Sequence, residues 1–343
     1  MKAQLLRQCC DVSKTPAPLD FCEMEIPEPG PGEVLLRVQA CGVCHTELDE
    51  IEGRTPPPVF PVIPGHQVVA RVAALGPGVI DCRLDERVGV AWIYSACGTC
   101  EYCRQGLENI CPDFCATGRD VNGGYAEYMV ARAAFVHQIP AGLSDIRTAP
   151  LLCAGAIGYR SLHLSGIKDG QILGLTGFGG SGHLVLQMVR HCFPSSPVFV
   201  FARSAAQRQF AMDLGASWTG RSDEKPPARM HAVIDTTPAW KPIVDALPFL
   251  RPGGRLVINA IRKEKRDKEQ LLQIAYEDHL WLEKEIKTVA NVCRDDVRLF
   301  LQLAAEIEIK PKVECYPLAH ANVALRELKQ GAFRGAKVLT MGD

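Results

Sequence analysis

Cys97, Cys100, Cys103 and Cys111 are separated by two, two and seven residues. As thiolates, four such sulfurs close a tetrahedron around a zinc ion and leave no coordination position open. Gly98 and Gly106 permit the tight reversals that turn the sulfurs inward. A closed site of this kind holds a loop in shape and performs no reaction. The competing readings are disulfides, or cysteines buried as small apolar residues. Two Cys-x-x-Cys steps within fifteen residues favour zinc. A second donor set is scattered around the first. Cys44 precedes His45 and Thr46, His66 lies between Gly65 and Gln67, and Cys153 follows the cysteine loop. Two sulfurs and one imidazole make three ligands and leave a fourth position for water or substrate, which is the pattern of a catalytic zinc. Alone, His66 reads better as a satisfied core histidine and Cys153 as a buried small residue; beside Cys44 they read as ligands.

A third constellation follows a strand-like apolar run at 171–177. Gly177, Gly179 and Gly182 are spaced as Gly-x-Gly-x-x-Gly, with Gly180 between them, and a helix-periodic stretch begins at 182. In that setting the first glycine makes the turn, the second lets backbone approach a pyrophosphate, and the third lets helix and strand pack closely. The helix N-terminus then offers free N–H groups to the phosphates. At the end of the next strand, where an Asp or Glu would bond both ribose hydroxyls of NAD, the chain has Arg203 and Ser204, with Arg208 one turn on. A guanidinium and a hydroxyl suit a 2′-phosphate, so NADP(H) is expected over NAD(H). The alternative role for Arg203 is stacking on adenine.

Cys44-His45-Thr46, Gly65-His66, the four-cysteine loop, Cys153 and the Gly177–Gly182 motif occur in the order seen in zinc-dependent alcohol dehydrogenases of the medium-chain dehydrogenase/reductase superfamily. The chain resembles that family over nearly its whole length. The resemblance implies two Zn²⁺ per chain, one catalytic and one structural, and a nicotinamide cofactor. It implies that zinc acts as a Lewis acid on an alcohol oxygen while the carbon exchanges hydride with the nicotinamide. Thr46 is then the first acceptor of the alcohol proton, with a relay running onward to the position of Asp49. There Asp49 is either a terminal base or an ordinary solvated carboxylate. His45 occupies the position that contacts cofactor phosphate. Glu47 stands where an Asp usually orients the zinc-bound imidazole, and Gln67 stands where the family has Glu, keeping hydrogen-bonding ability without charge. Trp92 resembles a bulky pocket wall, which points to short primary alcohols and aldehydes; it could equally be a core residue. Two other readings remain: a relative acting on a polyol, sugar or larger aldehyde, and a zinc-stabilised dinucleotide sensor with little catalysis. Intact Cys44, Thr46, His66 and Cys153 weigh against the sensor.

These residues need elements to hold them. The first 150 residues carry short alternating runs at 34–40, 68–75, 87–91 and 125–131, separated by Gly/Pro clusters, as strands should be. From 154 the pattern changes to strand and helix in alternation, the signature of a parallel sheet. Strands are expected at 171–177, 197–202, 231–235 and 254–259, and helices at 182–191, 204–214 and 238–250, with a charged loop at 262–266. A further helix at 295–308 carries Leu299, Leu303 and Ile307 on one face. The expected class is α/β with a doubly wound Rossmann domain over 154–308, and the resemblance implies that a GroES-like β-rich catalytic domain over 1–153, completed by 309–343, encloses it. Residues 336–341 read as a strand, and the resemblance implies that it returns to the first domain.

The 343 residues suit two domains. A net charge of −1 with no basic block argues against nucleic acid and anionic membrane surfaces. No apolar run is long enough for a bilayer span, and the first fourteen residues do not read as a signal peptide. Of fifteen cysteines, the nine outside the metal patterns have no framework spacing, which points to a reducing cytoplasm. The expected partner is a small alcohol or aldehyde, and the resemblance implies a homo-oligomer, dimer or tetramer.

Overall fold

The computed structural model describes residues 1–331 and 335–342. The chain divides into two compact units, Met1–Ala156 with Val292–Asp343, and Ile157–Asn291.

The first unit is built on the long strand Glu33–Val43. Val34, Leu36, Val38 and Ala40 alternate inward, with Arg37 exposed between them. This strand pairs antiparallel with Val68–Leu75 on one side. On the other side Tyr128–Arg132 covers its first half and Ala336–Thr340 covers residues 40–43. The sheet continues through Arg87–Val90 to Val136–Gln138 at one end, and through Ala336–Thr340 to Val313–Pro317 at the other. Its apolar core includes Leu6, Leu36, Ile51, Val68, Met129, Leu325 and Leu339, so segments from both ends of the chain share one interior.

The boundaries differ from the expected 153/154 and 308/309. The helix Arg294–Glu306 belongs to the first unit. Its Phe300 ring fills the space over Gly155, where a Cβ would stand 2.2 Å from the ring. Arg294 Nε also bonds Glu108 Oε1 at 2.6 Å. The buried stripe is Val297, Phe300, Leu301 and Ala304. Leu299 is exposed, and Leu303 and Ile307 are half-buried. Both sets have helical spacing, and the stripe holding the large Phe300 ring is the one that packs. Of the segment 309–343 expected to complete this unit, residues 332–334 and 343 lie outside the described residues.

The second unit is a six-stranded parallel sheet in the order Trp218–Gly220, Val198–Phe201, Leu173–Thr176, Met230–Asp235, Leu250–Ile258, Glu285–Thr288. The two strands at its centre are buried on both faces, as a sheet covered by helices requires. The order reverses between Leu173–Thr176 and Met230–Asp235, which makes the C-terminal ends of those strands the switch point of a doubly wound sheet. Glycine is required at Gly177, where φ is +81° and a Cβ would lie 2.8 Å from Thr236 Oγ1. The helix expected at 238–250 is shorter, Lys241–Ala246 followed by a 3₁₀ turn, Leu247–Phe249.

Candidate active site

Cys44 directly follows the central strand and caps the short helix His45–Ile51. Its sulfur accepts from Thr46 N at 3.3 Å and its own N–H donates to Glu47 Oε2 at 2.9 Å, a reciprocal capping box. The other oxygen of Glu47 lies 2.5 Å from His66 Nδ1. One carboxylate therefore fixes both the backbone of Cys44 and the ring of His66. The longer arm of Glu47 reaches where an Asp was usual, because it spans two partners. Burial works against ionisation of Glu47, but the His66 ring outweighs it and the carboxyl is held below its ordinary range. With Nδ1 engaged, Nε2 of His66 faces Cys44 Sγ at 3.7 Å. Cys44 Sγ, a His66 ring nitrogen and Cys153 Sγ all lie within 4.8 Å of one another. This donor set suits zinc: two soft sulfurs and an imidazole whose far nitrogen is held by a carboxylate.

The four-cysteine loop is equally compact, its sulfurs within 4.8 Å of one another. Cys97 Sγ and Cys103 Sγ are 3.9 Å apart. Zinc–sulfur bonds of about 2.3 Å set tetrahedral edges of about 3.8 Å. Backbone N–H groups of Thr99 and Cys100 point at Cys97 Sγ and lower its pKa to about 6. Cys103 is pushed up to about 12, by desolvation first and then by the neighbouring thiols. Sulfurs this close ionise together only when a cation joins them, which makes the loop a candidate zinc site. Among the described residues no cysteine forms a disulfide.

Other expected residues take definite places. Thr46 is half-buried and His45 exposed. Asp49 is neither solvated nor isolated: it is 3% exposed and accepts from Arg54 Nε at 2.5 Å. Gln67 is buried against Gly42, where a Cβ would come within 2.4 Å of Gln67 Oε1. Trp92 is half-buried, its ring 5.4 Å from that of Phe114.

In the second unit Gly179 and Gly180 are exposed and Gly182 is buried. A Cβ on Gly182 would strike Gly177 O at 2.7 Å, whereas one on Gly179 meets nothing, which leaves room above the loop. The helix Gly182–Cys192 has no side-chain cap; His183 N and Leu184 N bond the carbonyls of Gly179 and Ser181 at 3.4 and 3.1 Å, and its N-terminus follows the open turn directly. This cradle fits a pyrophosphate. Arg203 is exposed at the end of the next strand. Ser204 caps the following helix by accepting from Gln207 N at 3.1 Å, and Arg208 Nη1 bonds the carbonyls of Ala202 and Arg203 at 2.8 and 2.9 Å.

Sequence reasoning missed three features. Glu50, four residues after Thr46, is buried beside Trp92, and the i, i+4 spacing was a usable signal. Arg119 stacks on Trp92, with no local signal in Thr117-Gly118-Arg119. At the switch point Lys263 bonds the buried Asp235 and the carbonyls of Thr237 and Ala239.

The fold and the two thiolate clusters are those of a zinc-type oxidoreductase in two units. The Alcohol dehydrogenase GroES-like domain family matches residues 30–141. The chain is 40% identical over 336 residues to a probable alcohol dehydrogenase of Mycobacterium tuberculosis, covering 95% of each. It is 34% identical over 334 residues to an alcohol dehydrogenase of Geobacillus stearothermophilus, covering 95% of this chain and 96% of that one. A cobalt- and zinc-bound thermostable alcohol dehydrogenase of Pyrobaculum aerophilum superposes with a TM-score of 0.85 at 25% identity, covering 99% of each chain. The chain belongs to the zinc-type medium-chain alcohol dehydrogenase family, and its activity is alcohol oxidoreduction. Among the described residues no helix is long and apolar enough to cross a membrane.

Proposed function

We propose that the chain is a zinc-dependent dehydrogenase exchanging hydride between short primary alcohols or aldehydes and a nicotinamide dinucleotide, with NADP(H) preferred. The observation that carries this reading is the convergence of Cys44, His66 and Cys153 within 4.8 Å, with Glu47 holding the outer ring nitrogen of His66. A zinc ion held by these three side chains supplies Lewis acidity toward the alcohol oxygen. Thr46, on the first turn after Cys44, takes the alcohol proton through a hydroxyl that both accepts and donates. Glu47 keeps the His66 tautomer and ring orientation fixed. Gln67 holds its place without adding charge beside the donors. Cys97, Cys100, Cys103 and Cys111 hold a second, structural zinc.

The unit Ile157–Asn291 binds the dinucleotide over the Gly177–Gly182 turn. The preference for NADP(H) rests on the exposed Arg203 and on the missing acid at the strand end; Ser204 and Arg208, engaged locally, shape that corner. Trp92 limits the room for the alkyl chain. The test is absorbance of reduced nicotinamide when zinc-loaded protein meets a short primary alcohol with NADP⁺ or with NAD⁺. Wild type is expected to turn over faster with NADP⁺, and Cys153→Ala not at all. A clear NAD⁺ preference refutes the cofactor reading. Turnover by Cys153→Ala refutes the catalytic site.

A further inference from the structure

Thr46 and Glu50 lie four residues apart on the helix His45–Ile51, hence on one face and one turn from each other. Glu50 is 1% exposed. Its Oε1 is 3.5 Å from Trp92 Nε1, a long contact, and its Oε2 is buried with no hydrogen-bond partner. Burial first, and the Glu47 carboxylate second, lift the Glu50 pKa well above the usual carboxylate range. In its protonated form such a carboxyl both donates and accepts.

Arg119 covers a face of the same indole. Its guanidinium lies 5.2 Å from the Trp92 ring centre and 5.5 Å from that of Phe114. Asp120 fixes it at two points, Nε to Oδ1 at 2.9 Å and Nη2 to Oδ2 at 2.7 Å. Nη1 makes no hydrogen bond to the described residues. The segment bearing Arg119 is fastened beside the metal donors. Thr117 N donates to Trp92 O at 2.7 Å, and a Cβ on Gly118 would stand 2.7 Å from the backbone N of Gly65, the neighbour of His66.

Thus the indole expected to confine the substrate carries an unpaired carboxyl oxygen at its N–H edge and an unpaired guanidinium nitrogen over its face. A plain alkyl chain would cover both without pairing either, and buried polar groups left unpaired are costly. We propose that Arg119 and Glu50 form an oxygen-reading subsite beside Trp92 that selects short substrates with a second hydroxyl next to the reacting carbon, namely vicinal diols and hydroxyaldehydes. Arg119 Nη1 donates to the second oxygen and Glu50 pairs with the same hydroxyl. Both are specificity residues that exchange no atoms with the substrate. The inference rests on the reaction occurring at Cys44, His66 and Cys153.

The test compares ethane-1,2-diol with propan-1-ol, which differ by a hydroxyl in place of a methyl, on the zinc-loaded full chain. The readout is the ratio of the two kcat/KM values, so a uniform loss of activity does not move it. Wild type is expected to favour the diol by at least about tenfold, because a site built to hydrogen-bond a hydroxyl rejects the analogue lacking it. Arg119→Met and Arg119→Gln are each expected to lower the ratio by at least about tenfold, mainly through KM for the diol. Glu50→Leu lowers it, and Glu50→Gln, which keeps hydrogen bonding, retains most of it. A wild-type preference for propan-1-ol, or a ratio unmoved in both Arg119 variants, overturns the subsite while leaving the dehydrogenase reading intact. No turnover of either alcohol, with zinc and dinucleotide bound, overturns the dehydrogenase reading and the subsite with it.

Discussion

Lys263→Met should be among the most damaging substitutions away from the metal donors, and the reason is the group it leaves behind. Asp235 is fully buried at the C-terminal end of its strand. Its Oδ1 accepts from Thr176 Oγ1 at 2.6 Å and from Thr237 Oγ1 at 2.8 Å, and Lys263 Nζ bonds its Oδ2. The same ammonium bonds Thr237 O at 2.6 Å and Ala239 O at 3.2 Å, holding the turn that crosses in front of Gly177. Methionine fills the volume of the lysine stem but leaves Asp235 as an uncompensated buried charge. Breaking a buried pair from one side costs about 3–5 kcal/mol, whereas exchanging the whole pair for neutral groups is close to neutral. With a urea m value of about 2 kcal/mol per M, a loss of about 4 kcal/mol lowers the unfolding midpoint of this unit by about 2 M. Three of the four tryptophans, Trp218, Trp240 and Trp281, lie in this unit, so intrinsic fluorescence reports its unfolding. The double variant Asp235→Asn with Lys263→Met should recover most of the loss. A midpoint for Lys263→Met within about 0.5 M of wild type, or a double variant no better than the single one, would show that Asp235 does not depend on Lys263 for its charge balance.

Glu47→Gln removes the charge that orients His66 and is expected to weaken zinc at Cys44, His66 and Cys153 by about 10–100-fold. In a competitive chelator titration one zinc per chain should leave early while the four-cysteine site keeps its own; simultaneous release of both would contradict the assignment. Gly177→Ala forces a Cβ into left-handed backbone, at about 1–2 kcal/mol from the backbone alone, besides the contacts with Thr236 and Thr237. It should therefore lower both the melting temperature and NADPH affinity. Gly179→Ala meets nothing in the chain and should weaken NADPH binding with no change in melting temperature; equal melting losses in the two variants would refute the cradle.

The clustered chemistry was legible because its residues are close in sequence or carry their own punctuation. The four cysteines fall within one loop, and the Gly177–Gly182 motif sits between a strand and a helix that announce themselves by periodicity. Most strands fell where alternation put them, as at Val68–Leu75. Val136–Gln138, Trp218–Gly220, Val313–Pro317 and the edge strand Glu285–Thr288 were not among the expected strands; in the last all four residues are exposed, so no apolar alternation marks it. The helix Arg294–Glu306 was recognisable as a helix, but periodicity does not say which unit a buried face meets. Glu108 and Gly155, which decide that, are far away in the sequence. The same limit hid Lys263 and Asp235, 28 residues apart and joined only by the strand order. It hid Arg119 too, whose stacking on Trp92 depends on how the loop after the cysteines returns.

The pairing of the long central strand has a consequence for the order of events on the ribosome. Its first half is covered by residues 128–132, but residues 40–43 wait for Ala336–Thr340, with Thr340 opposite Ala40. Those four residues lead directly into Cys44. At about 5–20 residues per second the covering strand is made some 15–60 s after the strand it completes. The cysteine loop, by contrast, is closed within fifteen residues and can capture its ion while synthesis continues. The two metal sites should therefore mature at different times. On the proposed zinc reading the loop ion comes first, while the nascent sheet still has an exposed edge that invites mispairing. The site at Cys44, His66 and Cys153 comes last, when translation has delivered the strand that sets Cys44 in place.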